Sequence, residues 1–278
     1  MQTVAIVGVG LIGGSFGLAL KKAGFGGTIL GVSSGPTLEM ATARGAIDRA
    51  ASLADAARDA DLIYLSQPIG RILDILRRVD ELVRPGTLIT DAGSTKTAIV
   101  TAARTHLRQA EFLGGHPMAG KEKRGVGEAD GDLFRGRTYV LTPEDPRAIE
   151  RAPAREFVDW IRRIGGRPVI LTPEEHDRIV AFTSHLPQLA STALAATVAE
   201  EAGDRLAIAG PGLADTTRLA LSSYELWRDI LATNSAAIEK ALAAYILKLE
   251  HLRDNLRTRE IESEFEIAAA LAATIRKT

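Results

Sequence analysis

Cysteine is absent from the 278 residues, which excludes disulfides, thiol nucleophiles and cysteine-ligated zinc; no metal site is expected. An excess of one charge is also missing. The 34 Lys and Arg against 35 Asp and Glu leave a formal net charge of −1, so neither nucleic acid nor an anionic membrane is expected as a partner, since both need clustered cations. The long charge-free run, Val4 to Leu20, holds five glycines and falls short of the roughly twenty apolar residues a membrane span needs. It has neither a basic leader nor a small-residue cleavage site, so it does not read as a signal sequence either. There is no internal repeat and no low-complexity segment. What remains is a globular composition, 46% hydrophobic and 25% charged, in a chain long enough for two ordinary domains, with a cytoplasmic location as the default expectation.

The first twenty residues organise the rest. Thr3 to Val7 is an uncharged β-branched run that reads as a buried parallel strand, and Gly8, Gly10 and Gly13 then supply G-x-G-x-x-G before an apolar helical run. The first glycine allows a tight turn, the second lets the backbone approach a pyrophosphate, and the third lets the helix lie close on the strand. A diphosphate would rest on free N–H groups at the helix start, at Leu11, Ile12 and Gly13, where the helix dipole favours an anion. A second apolar strand, Thr28 to Val32, closes a βαβ unit of about thirty residues.

Strand and helix signals continue to alternate through Asp61 to Ser66, Thr87 to Asp91, Phe112 to Gly115, Thr138 to Leu141 and Pro168 to Leu171. Between Gly35 and Ala60 the chain is Ala-rich with helical spacing, interrupted by Gly45. The alternation predicts an α/β fold of the Rossmann-like kind, a doubly wound and mostly parallel sheet over residues 1–171. From residue 172 to 278 the pattern reads as an all-helical substrate and dimerisation domain. Thr172, Pro173 and Glu175 form a capping box at its start, Ser222 and Glu225 give a second one, Pro187 should kink or break the first of these helices, and Gly210, Pro211 and Gly212 mark a loop. Ile238, Leu242, Tyr245, Leu249, Leu252 and Leu256 recur at steps of four and three. That stripe can pack on the chain's own helices, but a small helical domain has few partners to cover it, so a homodimer is expected.

In an open parallel sheet, ligands meet the residues just after the strands. The rule selects Gly8 to Gly13, Ser33 and Ser34, Ser66 to Pro68, Asp91 to Lys96, and His116 to Glu122. Ser94 or Thr95 could simply cap the following helix. His116 lies between glycines and a proline at a strand end, where an imidazole facing the crevice suits proton transfer near neutral pH. His106, His176 and His251 read as solvated surface, and His185, beside Pro187, as a structural histidine or a member of a polar cluster facing the crevice.

These segments, GVGLIGGS at 8–15, DAGSTK at 91–96, GGHPMAGKEKRG at 114–125, SHLPQ at 184–188, TTR at 216–218 and YELWRDI at 224–230, closely resemble the prephenate/arogenate dehydrogenase family of tyrosine biosynthesis. The resemblance implies an NAD- or NADP-dependent oxidative decarboxylation of prephenate or arogenate. Hydride leaves the ring carbon that bears the hydroxyl, the hydroxyl proton goes to a base, and carbon dioxide departs as the ring becomes aromatic. It casts His116 as that base, Ser94 as the serine bridging hydroxyl, histidine and nicotinamide, Arg218 as the holder of a substrate carboxylate, His185 and Gln188 as pocket residues, and Glu122 as the acidic residue at the mouth. Many members have a histidine where Gln188 stands, which leaves both substrates open. Ser33 and Ser34 stand where an NAD enzyme usually places a carboxylate, and no neighbouring arginine marks a 2′-phosphate site, so both cofactors stay open. The length leads one to expect neither a C-terminal regulatory domain nor an N-terminal mutase domain, so any tyrosine inhibition is expected at the active site itself.

Overall fold

The computed structural model describes residues 1–203 and 205–276. Eight strands form one sheet in the order β3-β2-β1-β4-β5-β6-β7-β8. They are β1 (Thr3–Val7), β2 (Thr28–Val32), β3 (Arg49–Ala50), β4 (Leu62–Leu65), β5 (Leu88–Asp91), β6 (Glu111–Pro117), β7 (Thr138–Thr142) and β8 (Arg167–Ile170). Every pairing is parallel except β6 with β7. The sheet is therefore doubly wound and Rossmann-like, and the strand order reverses between β1 and β4, which opens a crevice at their carboxyl ends.

Helices α1 (Leu11–Lys22), α2 (Gly35–Ala43), α3 (Leu53–Asp59), α4 (Ile69–Leu76), α5 (Thr97–His106) and α6 (Ala154–Arg163) accompany the sheet. One apolar cluster joins Phe16, Tyr64, Phe134, Phe157 and Trp160, and another joins Ile63, Ile72, Leu76, Ile89 and Ile99. Phe16 stacks on Tyr64 with ring centroids 4.0 Å apart, and the Tyr139 hydroxyl donates to that of Tyr64 at 3.1 Å. The Ala-rich stretch after Gly35 contains a strand that helical spacing conceals. Gly45, at φ +72°, ends the run, and Asp48 accepts hydrogen bonds from the Ile29 N–H and the Lys21 ammonium, both at 2.7 Å, which draws β3 onto the sheet edge.

Beyond β8 the chain is helical: α7 (Pro173–Val180), a π-helical turn (Ala181–His185), α8 (Leu186–Ala202), α9 (Pro211–Thr217), α10 (Tyr224–Thr233), α11 (Ser235–Asp254) and α12 (Glu262–Ile275). The Thr172–Glu175 capping box forms in full. The second expected box does not: Ser223, not Ser222, precedes α10, and its side chain makes no capping bond. The glycines around Pro211 start a short helix, because Gly210 leads into proline at its first turn. Pro187 does not break the chain's helical course: α7, the π-turn and α8 follow one another without a gap, and Pro187 lies in the first turn of α8. Of the stripe from Ile238 to Leu256, Ile238 is buried, while Leu249 is 46% and Leu256 71% exposed. Among the described residues no single helix is long and apolar enough to cross a membrane.

Two carboxylates from the helical part sit on helix starts of the sheet part. Asp177 accepts the N–H groups of Lys96 and Thr97 at 2.7 and 2.9 Å, and Asp229 accepts that of Gly70 at 2.8 Å. The alternative that Ser94 or Thr95 caps α5 is thereby set aside. The Thr95 hydroxyl is bound instead to that of Thr233, 2.7 Å away across the same joint.

Candidate active site

The glycine loop is shaped for a ligand rather than for itself. At Gly8, φ is +98° and an added Cβ would lie 2.5 Å from the Ser66 carbonyl oxygen; at Gly13 it would lie 2.2 Å from that of Gly8. At Gly10 it would meet nothing, so the space before α1 is open. The first turn of α1 has no side-chain cap and no acidic residue, and the N–H groups of Leu11, Ile12 and Gly13 have no partner among the described residues. Three free donors on a helix N-terminus, with glycines clearing the approach, fit a dinucleotide pyrophosphate. Ser66, at the same strand end, donates its hydroxyl to the Gly8 carbonyl at 2.8 Å and so braces the loop. Pro68 leads into α4. Ser33 and Ser34 follow β2, with the Ser34 hydroxyl 2.9 Å from that of Thr37. A groove lined by Val7, Val32, Leu53, Gln67, Arg71 and Ile75 runs along these strand ends. Arg71, in the first turn of α4, lines this groove with Val32 and brings to the β2 end a cation that is not adjacent to Ser33 in sequence.

At the end of β6, His116 projects from a segment tied down from behind. Lys96 is wholly buried, and its ammonium donates to the Asp91 carboxylate and, at 2.7 Å, to the Gly115 carbonyl. Asp91 also accepts the N–H groups of Gly93 and Gly115. His116 Nδ1 lies 2.8 Å from His176 Nε2, and His176 Nδ1 lies 2.8 Å from Asp177. His176 is fully buried, not on the surface as its charged neighbours suggest. It stands with Pro173, Asp177 and Val180 on the buried face of α7, turned into the joint. Burial, followed by the neighbouring His176, Lys96 and His185, holds the His116 imidazole well below the usual histidine range.

Of the remaining candidates, His185, Gln188 and Arg218 come from the helical side. His185 is buried, with Nδ1 3.3 Å from the Asn234 amide and its ring edge-on to Trp227 at 5.8 Å; burial pushes its pKa down to about 4. Gln188, also buried, donates to the Leu219 carbonyl at 2.9 Å and the Thr192 hydroxyl at 3.2 Å. Arg218 and Glu122, both exposed, form an ion pair at 3.0 Å. Ser94, half-buried in the loop after β5, has no hydrogen-bond partner among the described residues.

Comparison with known proteins matches this architecture part by part. Residues 16–156 match the nucleotide-binding domain of prephenate dehydrogenase, and residues 172–272 match its dimerization domain. The chain belongs to the prephenate dehydrogenase family. A prephenate dehydrogenase of Lactococcus lactis is 35% identical over 84% of this chain, which spans 65% of that relative's length. The crystal structure of prephenate dehydrogenase from Aquifex aeolicus, in complex with hydroxyphenyl propionate and NAD+, superposes with a TM-score of 0.85 at 31% identity, covering 100% of this chain and 97% of the other. Synechocystis arogenate dehydrogenase gives 0.82 at 30% identity over 99% of both chains. Within this prephenate dehydrogenase framework, His176, Asp177, Arg71 and Asp229 are the polar residues at the crevice that sequence reasoning missed. A legible signal existed for the first pair: positions 173, 176, 177 and 180 follow helical one-face spacing.

Proposed function

We propose that the chain is a prephenate dehydrogenase, converting prephenate to 4-hydroxyphenylpyruvate and carbon dioxide in tyrosine biosynthesis. The observation that carries this reading is His116, an imidazole held neutral at a strand end, beside an unengaged Ser94 and an open dinucleotide cradle. NAD or NADP, when bound, supplies the acceptor for the hydride that leaves the hydroxyl-bearing carbon. His116 accepts the hydroxyl proton, and the hydroxyl of Ser94 holds the substrate hydroxyl toward it. Arg218 is available to clamp a carboxylate by exchanging the Glu122 partner for it, a task suited to the guanidinium fork. His185 and Gln188 shape the pocket around the ring. Tyrosine, which shares the product's phenol ring, would compete in the same pocket.

Gln188 favours a second reading, with arogenate as the substrate. Its Nε2 is engaged by Leu219 and Thr192, which leaves Oε1 to accept from the ammonium group of an amino-acid side chain. One assay separates the readings: the near-ultraviolet absorbance of the reduced nicotinamide is followed with prephenate or arogenate, each with NAD or NADP. A rise with one pair is expected and names substrate and cofactor; silence with all four pairs, in protein shown to bind dinucleotide, overturns the proposal.

The helical part would be covered by a second copy of the chain in the cytoplasm. Its own buried cluster contains only Ala181, Ile238 and Ala241, with five partly buried neighbours, while Leu247, Phe265 and Leu271 are 66%, 68% and 61% exposed. So much apolar surface beside so small a core calls for a partner. Sedimentation equilibrium of the full chain is expected to give twice the 29.6 kDa chain mass; a monomer at micromolar concentration would count against it.

A further inference from the structure

The bonds behind His116 decide which of its nitrogens can act as the base. Asp177 accepts from Lys96 N–H at 2.7 Å on one oxygen and from Thr97 N–H at 2.9 Å on the other. Burial opposes its ionisation, yet the hydrogen bonds from His176, Thr97 and Lys96 outweigh that and hold the carboxyl below its usual range. An ionised carboxylate can only accept, so at the 2.8 Å contact the proton sits on His176 Nδ1. With that single proton on Nδ1, His176 offers a lone pair at Nε2 to its 2.8 Å neighbour, which makes His116 Nδ1 the donor. That leaves the lone pair of His116 on Nε2. This atom has no partner among the described residues, and the half-buried His116 side chain leaves it open to solvent.

We infer that His176 and Asp177 are positioning residues that fix the Nδ1–H tautomer of His116 and so place its basic nitrogen, Nε2, toward the substrate. The inference rests on the dehydrogenase reading only for the identity of the proton donor. In the step itself, the substrate O–H bond breaks and an N–H bond forms at Nε2, while the electron pair left on oxygen forms the carbonyl as hydride departs to the dinucleotide. His116 becomes an imidazolium whose Nδ1–H already points at the His176 lone pair, and Asp177 stabilises the charge from the far side. A carboxylate that orients an imidazole through its other nitrogen is a known way to secure the active tautomer; here a second imidazole is interposed.

The test combines a direct and a kinetic readout. Nitrogen-15 spectra of the histidine-labelled full chain at neutral pH are expected to show a protonated Nδ1 and a bare Nε2 at His116. His176→Leu, which cuts the relay, is expected to lower kcat about a hundredfold, a fraction of what a general base supplies, with KM and dinucleotide affinity little changed and the tautomer signal of His116 mixed. His176→Gln restores an N–H toward Asp177 and an oxygen acceptor toward His116, and so is expected to retain kcat within a few-fold. A merely structural role would not distinguish Gln from Leu through kcat alone. A protonated Nε2 in the unmodified chain, or full kcat in a folded His176→Leu, overturns the inference. Should the unmodified chain turn over neither prephenate nor arogenate, the dehydrogenase reading fails, and the spectra still decide the tautomer.

Discussion

His116→Asn is expected to leave a folded protein that holds its dinucleotide with unchanged affinity but turns over about a thousandfold more slowly, within the range that general acid–base catalysis supplies. Asparagine is smaller but can still donate an N–H toward His176, and it cannot take up a proton at neutral pH. The loss should therefore fall on kcat, read from initial rates, with calorimetry confirming dinucleotide binding. Substantial residual turnover would remove His116 from its assigned role. The pH profile of the unmodified chain gives the same assignment a second test. The groups around His116 are His176, Lys96 and His185, and with burial they hold its imidazole neutral well below the ordinary value near 6.5. A base must be deprotonated to act, so turnover rises with pH through that depressed value. It is then level across neutrality, where an unshifted histidine would still be climbing between pH ~6 and ~7.

Lys96→Met should be the most damaging single change to stability. Its ammonium is wholly buried against Asp91. Burial draws the ammonium below its usual range, and the Asp91 charge draws it back up. Removing the lysine leaves the Asp91 carboxylate buried with only the amide donors of Gly93 and Gly115. Breaking one side of a buried pair costs about 3–5 kcal/mol, a large share of the roughly 5–15 kcal/mol that holds a folded domain. Thermal unfolding followed by circular dichroism is expected to fall by about 10 °C at the usual conversion for chains of this size. Adding Asp91→Asn to Lys96→Met should recover part of the loss, because it removes the uncompensated charge. If the single variant melts with the unmodified chain, the pair is not the anchor described.

The sheet and its ligand edge were legible because their signals are local. The glycine loop is a contiguous run, and Asp91, Ser94, His116 and Ser66 each stand at or just beyond the carboxyl end of a strand, so topology alone brings them to one edge. The helical half was less legible because its contacts are not. His176 follows Glu174 and Glu175 and looks solvated, yet the sheet part covers it, and that burial depends on α5 arriving from eighty residues upstream. Arg71 reaches the β2 end from a different βα unit, which no reading of the residues around Ser33 reveals. Ser222 and Glu225 have the right spacing for a cap, but the chain enters α10 one residue later, and the pattern is empty.

The capping of α4 and α5 from the helical part also sets how often the two halves separate. Parting them at this joint would strip the N–H groups of Gly70, Lys96 and Thr97 from their carboxylates at once. At about 1 kcal/mol net for each hydrogen bond, the sum of about 3 kcal/mol confines the separated form to fewer than about one molecule in a hundred. The crevice is thus assembled before any ligand arrives, and binding energy need not be spent on bringing Asp177 to His176, or His176 to the base it orients.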